Sequence, residues 1–225
     1  MRDVLRRAFG DHGAVVSDLA EDLRWIVDDG NGLSLVAEHG SAVVGNVMFT
    51  RSLLDAPRRL VDVQVLSPVG VLPEHQRQGI GSALIRAGLE AMTARRVPIV
   101  FLEGDPAYYS RFGFGDGTAQ GFRKPSLRIP DVAFQAIRLP DHAPWMTGTL
   151  VYADAFWRHD CVGLRDPDGP LLRHHRLARG TSIGSEDALG LQRTAHDNRP
   201  PTPRQAHGTR PQKAEKKLSH GPGQS

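Results

Sequence analysis

Apolar positions recur at helical spacing twice near the start of the chain, as Val4, Leu5, Ala8 and Phe9 and then as Leu19, Leu23 and Ile26. This spacing predicts two short amphipathic helices over residues 2–9 and 17–26. Asp28-Asp-Gly-Asn-Gly32 reads as a turn. Leu33–Glu38 and Ala42–Phe49 follow as two strands joined across His39-Gly40-Ser41, the pattern of a hairpin. A third strand is predicted from Leu60 to Val71. Pro68 and Gly70 lie inside it; proline cannot donate to a ladder and glycine weakens one, so a bulge is expected near Ser67-Pro68. A glycine-bearing turn then leads into a helix with Ile80, Leu84, Ile85, Leu89 and Met92 on one face, ended by Arg95-Arg-Val-Pro98. Ile99–Leu102 has the composition of a buried strand. Gly104-Asp-Pro-Ala starts a short helix with Asp105 as cap and Pro106 at its first position. Strand, helix and strand in succession predict a parallel pair crossed by a helix. Val132–Leu139 and Thr149–Tyr152 are further short strands. The pattern is that of one mixed α/β domain over residues 1–166.

Chemistry concentrates at the two later helix starts. In Gln76-x-x-Gly79-x-Gly81 the free backbone N–H groups and positive dipole end of a helix meet glycines that let an anion approach closely. Arg77 adds a formal charge. Such a turn suits a pyrophosphate; equally, Gly79 and Gly81 suit tight helix packing. The chain has no Gly-Lys-Ser/Thr for a nucleoside triphosphate here, and Gly79-Ile-Gly81-Ser-Ala-Leu84 lacks the third glycine of a dinucleotide fingerprint. The second start is Tyr108-Tyr-Ser-Arg-Phe-Gly-Phe114, which begins 27 residues after Gly81 and directly after the next strand.

These two motifs, in this order and spacing, resemble the GNAT acetyltransferase superfamily. The likeness is to a bacterial group of N-acetyltransferases with Pro-x-x-Gln-x-x-Gly-Ile-Gly-Ser-Ala-Leu followed by Gly-Asp-Pro-x-Tyr-Tyr-x-Arg-Phe-Gly-Phe. Gly148-Thr-Leu-Val-Tyr-Ala-Asp-Ala-Phe-Trp157 is similar to that group's closing segment, so the resemblance spans about residues 4–165. It implies a twisted mixed sheet with one splayed parallel pair, flanked by helices. It also implies transfer of the acetyl group of acetyl-CoA to a primary amine, of a small molecule or a protein, by direct attack in a ternary complex, with no metal. By similarity, Gln76, Arg77, Gln78, Gly79, Ile80, Gly81 and Ser82 would hold the coenzyme A pyrophosphate. The strand at Val69, Gly70 and Val71 would pair with the pantetheine arm, and one of its N–H groups would polarise the acetyl carbonyl. The strands at Leu66–Val71 and Ile99–Leu102 would splay at the bulge to admit the thioester. Tyr109 stands where arylalkylamine acetyltransferases of this superfamily carry a tyrosine that protonates the leaving thiolate. Tyr108 is expected to pack.

For the general base, Glu103 is the nearest carboxylate in sequence; Asp62 and His75 are lesser candidates, and relatives often use a water chain instead. Asp105 is assigned to capping. Relatives usually carry an edge strand before the first helix, which this chain lacks, and homodimers are frequent among them. Two other readings stay open: a catalytically silent domain that binds acetyl-CoA, and a nucleic-acid-binding role for the C-terminal residues.

Composition changes this picture mainly at the C-terminus. Across 225 residues, 40% apolar and 24% charged, no apolar run reaches the roughly 20 residues that span a bilayer. Charges interrupt the first ten residues before a signal-peptide core builds. With Cys161 the only cysteine, neither an intramolecular disulfide nor a multi-cysteine zinc site forms, which fits a reducing cytoplasm; Cys161 itself is expected to be an incidental, partly buried thiol. Residues 1–166 carry 18 Lys/Arg against 20 Asp/Glu, and residues 167–225 carry 10 against 5 with no aromatic residue and 14 Gly plus Pro. Such a basic stretch buries too little to offset its ordering entropy and is expected to be a disordered tail, apart from a turn near Ser185. With no aromatics to stack on bases, it suits nucleic acid poorly, and His174-His175 reads as a solvated pair. Acceptor selectivity is expected in residues 10–32 and 115–148, where Arg123, Lys124 and Arg128 are expected to face solvent.

Overall fold

The computed structural model describes residues 1–165. The expectations for residues 167–225, the tail with its His174-His175 pair and the turn near Ser185, lie outside the described residues. Two helices open the chain, α1 (Arg2–Ala8) and α2 (Gly13–Ile26). The second begins four residues before the predicted Ser17, because a 3-10 turn at Gly10–His12 runs directly into it. Gly13 makes this possible: a Cβ there would lie 2.1 Å from the Arg6 carbonyl oxygen, so only glycine lets the two helices approach so closely. A π-helical turn (Val27–Asn31), with Gly30 at φ 79°, leads into the sheet.

The sheet contains β1 (Gly32–His39), β2 (Ala42–Asp55), β3 (Leu60–Val71), β4 (Ile99–Glu103), β5 (Gly115–Asp116), β6 (Phe122–Arg123), β7 (Phe134–Arg138) and β8 (Gly148–Val151). Their order is β5-β7-β4-β3-β2-β8-β6, with β1 paired to β2 as well. The sheet is strongly curled. Phe101 on β4 meets Phe122 on β6 edge-to-face at 4.9 Å although three strands intervene, and residues 117–121 join β5 and β6 at the two rims. Long β2 carries β1 along its first half and β8 at its end, where Leu53–Asp55 pair with Val151–Thr149.

The helix α3 (Ile80–Ala94) crosses between the parallel strands β3 and β4, as predicted. The curl divides the core. On the concave face, Leu5, Leu19 and Leu23 of α1 and α2 pack on Met48, Val63, Phe101 and Leu150. On the convex face, Leu84, Ile85 and Met92 of α3 pack on Phe49, Leu66, Val100 and Leu102. Each large side chain buried in this way contributes about 1.5–3 kcal/mol. The fit of α3 depends on Gly88, where a Cβ would stand 2.1 Å from Cε2 of the fully buried Phe49. Gly88→Ala will therefore destabilise the domain. Alanine's helix propensity returns about 1 kcal/mol, overpacking costs up to about 3 kcal/mol, and the net loss of about 1–2 kcal/mol should lower Tm by about 2–8 °C in a thermal melt.

The expected bulge is present. Val47 pairs with Val69 and Phe49 with Leu66, so β3 spends two residues, Ser67 and Pro68, opposite the single Met48; the Ser67-Pro68 peptide is cis. Just before it, the parallel pairing of β3 with β4 ends after Gln64↔Val100 and Val65↔Phe101. Beyond that level the two strands separate, with Leu66–Val71 on one side and Leu102–Glu103 on the other. Among the described residues the first strand follows two helices, as the sequence predicted.

Candidate active site

The turn before α3 is built to leave backbone N–H groups free. Arg77 and Gly79 both have left-handed backbones, at φ 60° and 88°. The loop is braced by its glutamines: Gln76 Nε2 donates to the Val71 carbonyl at 3.0 Å and Gln78 Nε2 to that of Glu74 at 3.1 Å. The first helical hydrogen bond runs from Ala83 N to Gly79 O, and no side chain caps the helix. The N–H groups of Ile80, Gly81 and Ser82 thus project from the positive end of a fifteen-residue helix. A Cβ on Gly81 would lie 3.2 Å from the Tyr108 hydroxyl and 3.6 Å from Val71 Cγ2, so the glycine keeps open a narrow cradle between α3, the end of β3 and the start of the next helix. Val71 borders the cradle at the end of β3, and Val69 lies on the same face of that strand. Gly70 is turned the other way, and Leu5 and Ala8 of α1 rest on it. These residues fit a diphosphate-bearing coenzyme: free N–H donors, a helix dipole and space that a side chain would fill.

Tyr109 comes from α4 (Pro106–Tyr109), started by Asp105, whose Oδ1 accepts from the Ala107 N–H at 2.8 Å, with Pro106 at the first position. The Tyr109 ring lies where a Cβ on Gly104 would approach it to 2.3 Å, and it packs edge-on against Tyr108 and Phe114. Burial pushes its pKa well above the ordinary phenol value, with the neighbouring Tyr108 and Asp105 adding to the shift. The phenol therefore stays protonated through the neutral range. Tyr108 packs in the same cluster under the Arg111 guanidinium, 4.7 Å from its ring. Packing alone does not describe it, since its hydroxyl reaches the Gly81 cradle.

Glu103 ends β4 and points to the opposite face, with Ile99 and Phe101, because side chains alternate along a strand. Its Oε1 accepts from the Tyr152 hydroxyl at 2.7 Å and its Oε2 from the Gly163 N–H at 3.3 Å. Burial raises its pKa from the ordinary carboxylate range, opposed by the Tyr152 and Gly163 hydrogen bonds and the Arg128 charge. Tyr109 on the convex face and Glu103 on the concave face thus flank the parted ends of β3 and β4.

Residues 1–117 match the acetyltransferase (GNAT) domain family. The Escherichia coli protein YhbS, an uncharacterized N-acetyltransferase, is 33% identical over 160 residues, covering 69% of this chain and 90% of its own length. The chain belongs to the GNAT acetyltransferase family. Another E. coli relative, the uncharacterized N-acetyltransferase YjhQ, is 34% identical over 116 residues; the match takes in 51% of this chain and 62% of YjhQ. The crystal structure of YhbS in complex with CoA superposes with TM-score 0.60 at 31% identity, covering 70% of this chain and 84% of that one. A GNAT acetyltransferase from Brucella melitensis in complex with acetyl-CoA gives TM-score 0.54 at 30% identity, covering 69% and 88%.

Other residues singled out in this GNAT sequence have structural duties. Asp62 is tied to Arg51 at 2.6 Å. The His75 ring stands 5.2 Å from that of His39. Cys161 is partly buried, and burial, with the nearby Asp160 and Glu103 charges, pushes its thiol up to about 11. Lys124 and Arg128 are not free surface cations as expected. Their side chains are mostly buried: Lys124 pairs with Asp131 within its own loop, and Arg128 pairs with Asp160, whose segment also donates from Leu164 N to the Arg128 carbonyl. Arg123 is exposed, its Nε donating to Thr149 Oγ1 at 2.9 Å. A cavity of about 340 Å³ lies along the edge of β2 between the ends of β1 and β8, lined by Ile26, Asp29, Arg51, Ser52 and Tyr152 among others. None of its lining residues belongs to the Gly81 cradle. Tyr152 was missed by sequence reasoning; its only signal was membership of the closing segment. Among the described residues no helix is long and apolar enough to cross a membrane.

Proposed function

We propose that this GNAT domain transfers the acetyl group of acetyl-CoA to a primary amine by direct attack in a ternary complex. The observation that carries this reading is the parting of β3 from β4 beside an uncapped helix N-terminus, with Tyr109 and Glu103 on opposite faces of the gap. The N–H groups from Arg77 to Ser82 hold the diphosphate, and Val69–Val71 pair with the pantetheine arm. An N–H of that strand donates to the acetyl carbonyl oxygen, where negative charge grows as the tetrahedral centre forms. The acceptor approaches from the concave side. Its nitrogen bonds to the acetyl carbon, and Glu103 takes the proton the nitrogen loses. The carbon–sulfur bond breaks, and the Tyr109 hydroxyl gives its proton to the departing thiolate. Burial keeps the phenol protonated until the thiolate departs, and it raises the pKa of the carboxylate, which makes Glu103 the stronger proton acceptor. The acceptor is a small molecule or a protein amine.

Thermal unfolding of the full chain with acetyl-CoA, followed by thiol release across a panel of primary amines, tests this reading. Acetyl-CoA at about a hundred times its Kd should stabilise the fold by about 2.7 kcal/mol, or about 5–10 °C in Tm. An absent shift in folded protein rejects the coenzyme site. A shift without thiol release from any amine, peptide amines included, replaces the enzyme with a binding domain.

A further inference from the structure

We infer that Tyr152 is a positioning residue for the reaction, holding the Glu103 carboxylate at the mouth of the gap between β3 and β4 through its hydroxyl and linking that carboxylate to the cavity along β2. The inference rests on the reading of Glu103 as base and adds a residue to it.

The contact is long-range and specific. Tyr152 follows β8, which pairs with the far end of β2, yet its hydroxyl crosses the concave core to Glu103 Oε1 at 2.7 Å. Its ring is 5% exposed and packs on Phe156 at 4.9 Å, so the side chain is fixed apart from its hydrogen bond. Its remaining surface lines the cavity with Ile26, Asp29, Ser52 and Ala153.

A carboxylate on a strand end has two free torsions beyond Cβ and would otherwise turn toward bulk water. Here one oxygen is held by a phenol and the other by a backbone N–H. The charged groups around it are few. Arg128 lies on the loop before β7 and is itself paired with Asp160 at 3.0 Å, and Cys161 on the closing segment is neutral because its thiol is pushed up to about 11. Tyr152 is therefore the side chain that donates directly to the carboxylate. Deprotonation of Glu103 strengthens that bond, since a hydrogen bond to a charged acceptor is stronger than one to a neutral acceptor. Tyr152 thus favours the proton-accepting form of the residue. Burial opposes this by raising the pKa of Glu103, and the two effects together set where it titrates.

The test compares the full chain with Tyr152→Phe and Glu103→Gln in infrared pH titrations of the carboxyl bands. Acetyl-CoA thiol release is then followed against pH with an amine from the panel that reacts. The Glu103→Gln difference spectrum identifies the Glu103 band. Phenylalanine keeps the ring against Phe156 and loses only the donor. Tyr152→Phe should move the Glu103 transition to higher pH, and the acid limb of kcat/KM should move with it. On that limb kcat/KM should fall about tenfold, with the alkaline plateau within about threefold of wild type. An unchanged Glu103 transition in Tyr152→Phe overturns the inference. A moved transition with an unmoved rate profile also overturns it, by separating Glu103 from the chemistry. If Glu103→Gln keeps the wild-type profile, the base assignment falls first, and the inference falls with it while the coenzyme site stands.

Discussion

Gly81→Asp will fold and will not bind acetyl-CoA. An aspartate in the first turn of α3 is compatible with the helix dipole, so the helix itself tolerates it. Its Cβ meets the Tyr108 hydroxyl at 3.2 Å and Val71 Cγ2 at 3.6 Å, contacts that a flexible tyrosine tip accommodates by small shifts. The carboxylate then occupies the cradle proposed for the diphosphate and accepts from the N–H groups of the helix start. Loss of those donors together with like-charge repulsion should weaken Kd by at least about a hundredfold, about 2.7 kcal/mol. Titration calorimetry of the full chain measures this directly, and the Tm rise with acetyl-CoA should vanish in parallel. A wild-type Kd in the folded variant would remove the α3 N-terminus from coenzyme binding.

Tyr109→Phe will separate chemistry from binding. The ring that fills the space left by Gly104 and packs on Phe114 remains, so the fold and the coenzyme cradle are kept. Only the proton donor is lost. A positioned general acid contributes about 10²–10⁴-fold. Turnover should therefore fall by at least about a hundredfold, while the acetyl-CoA Kd stays within about threefold of wild type. Because the Tyr109 pKa is raised by burial, the wild-type enzyme should show no loss of activity from phenol ionisation up to the ordinary tyrosine pKa near 10. Undiminished turnover in Tyr109→Phe would take the tyrosine out of the mechanism.

Much of the site was legible because its signals are local. The apolar face of α3, from Ile80 through Met92, is a 3.6-residue repeat, and a repeat of that kind needs no partner to be recognised. Asp105-Pro106 specifies a helix start by itself, through a side-chain acceptor and a fixed φ, and the structure shows that cap at 2.8 Å. The bulge followed from Pro68 and Gly70, which disrupt a ladder whatever strand lies beside them. Gly79 and Gly81 suit either a pyrophosphate turn or tight packing, and the structure adds that Gly79 has a left-handed backbone in the loop and that a Cβ on Gly81 would meet the Tyr108 hydroxyl and Val71.

The remaining features depend on contacts between distant parts of the chain. β5 and β6 are two residues each, too short for any periodicity, and exist because the curl of the sheet brings partners to them. Lys124 and Arg128 look like surface cations in the sequence and are paired and largely buried only in the fold, Lys124 with Asp131 of its own loop and Arg128 with Asp160, 32 residues on. By itself the sequence determined the order of the longer strands and helices and the helix start that suits a diphosphate, because periodicity, caps and backbone-specific residues act within a few positions, while Tyr109 was marked only by its place in a motif that resembles the family's. Only the tertiary structure decided that Glu103 and Tyr109 face opposite sides of the parted strands and that Tyr152 reaches Glu103 from 49 residues away. Side-chain direction, burial and hydrogen-bond partners at that range are set by the curl of the whole sheet.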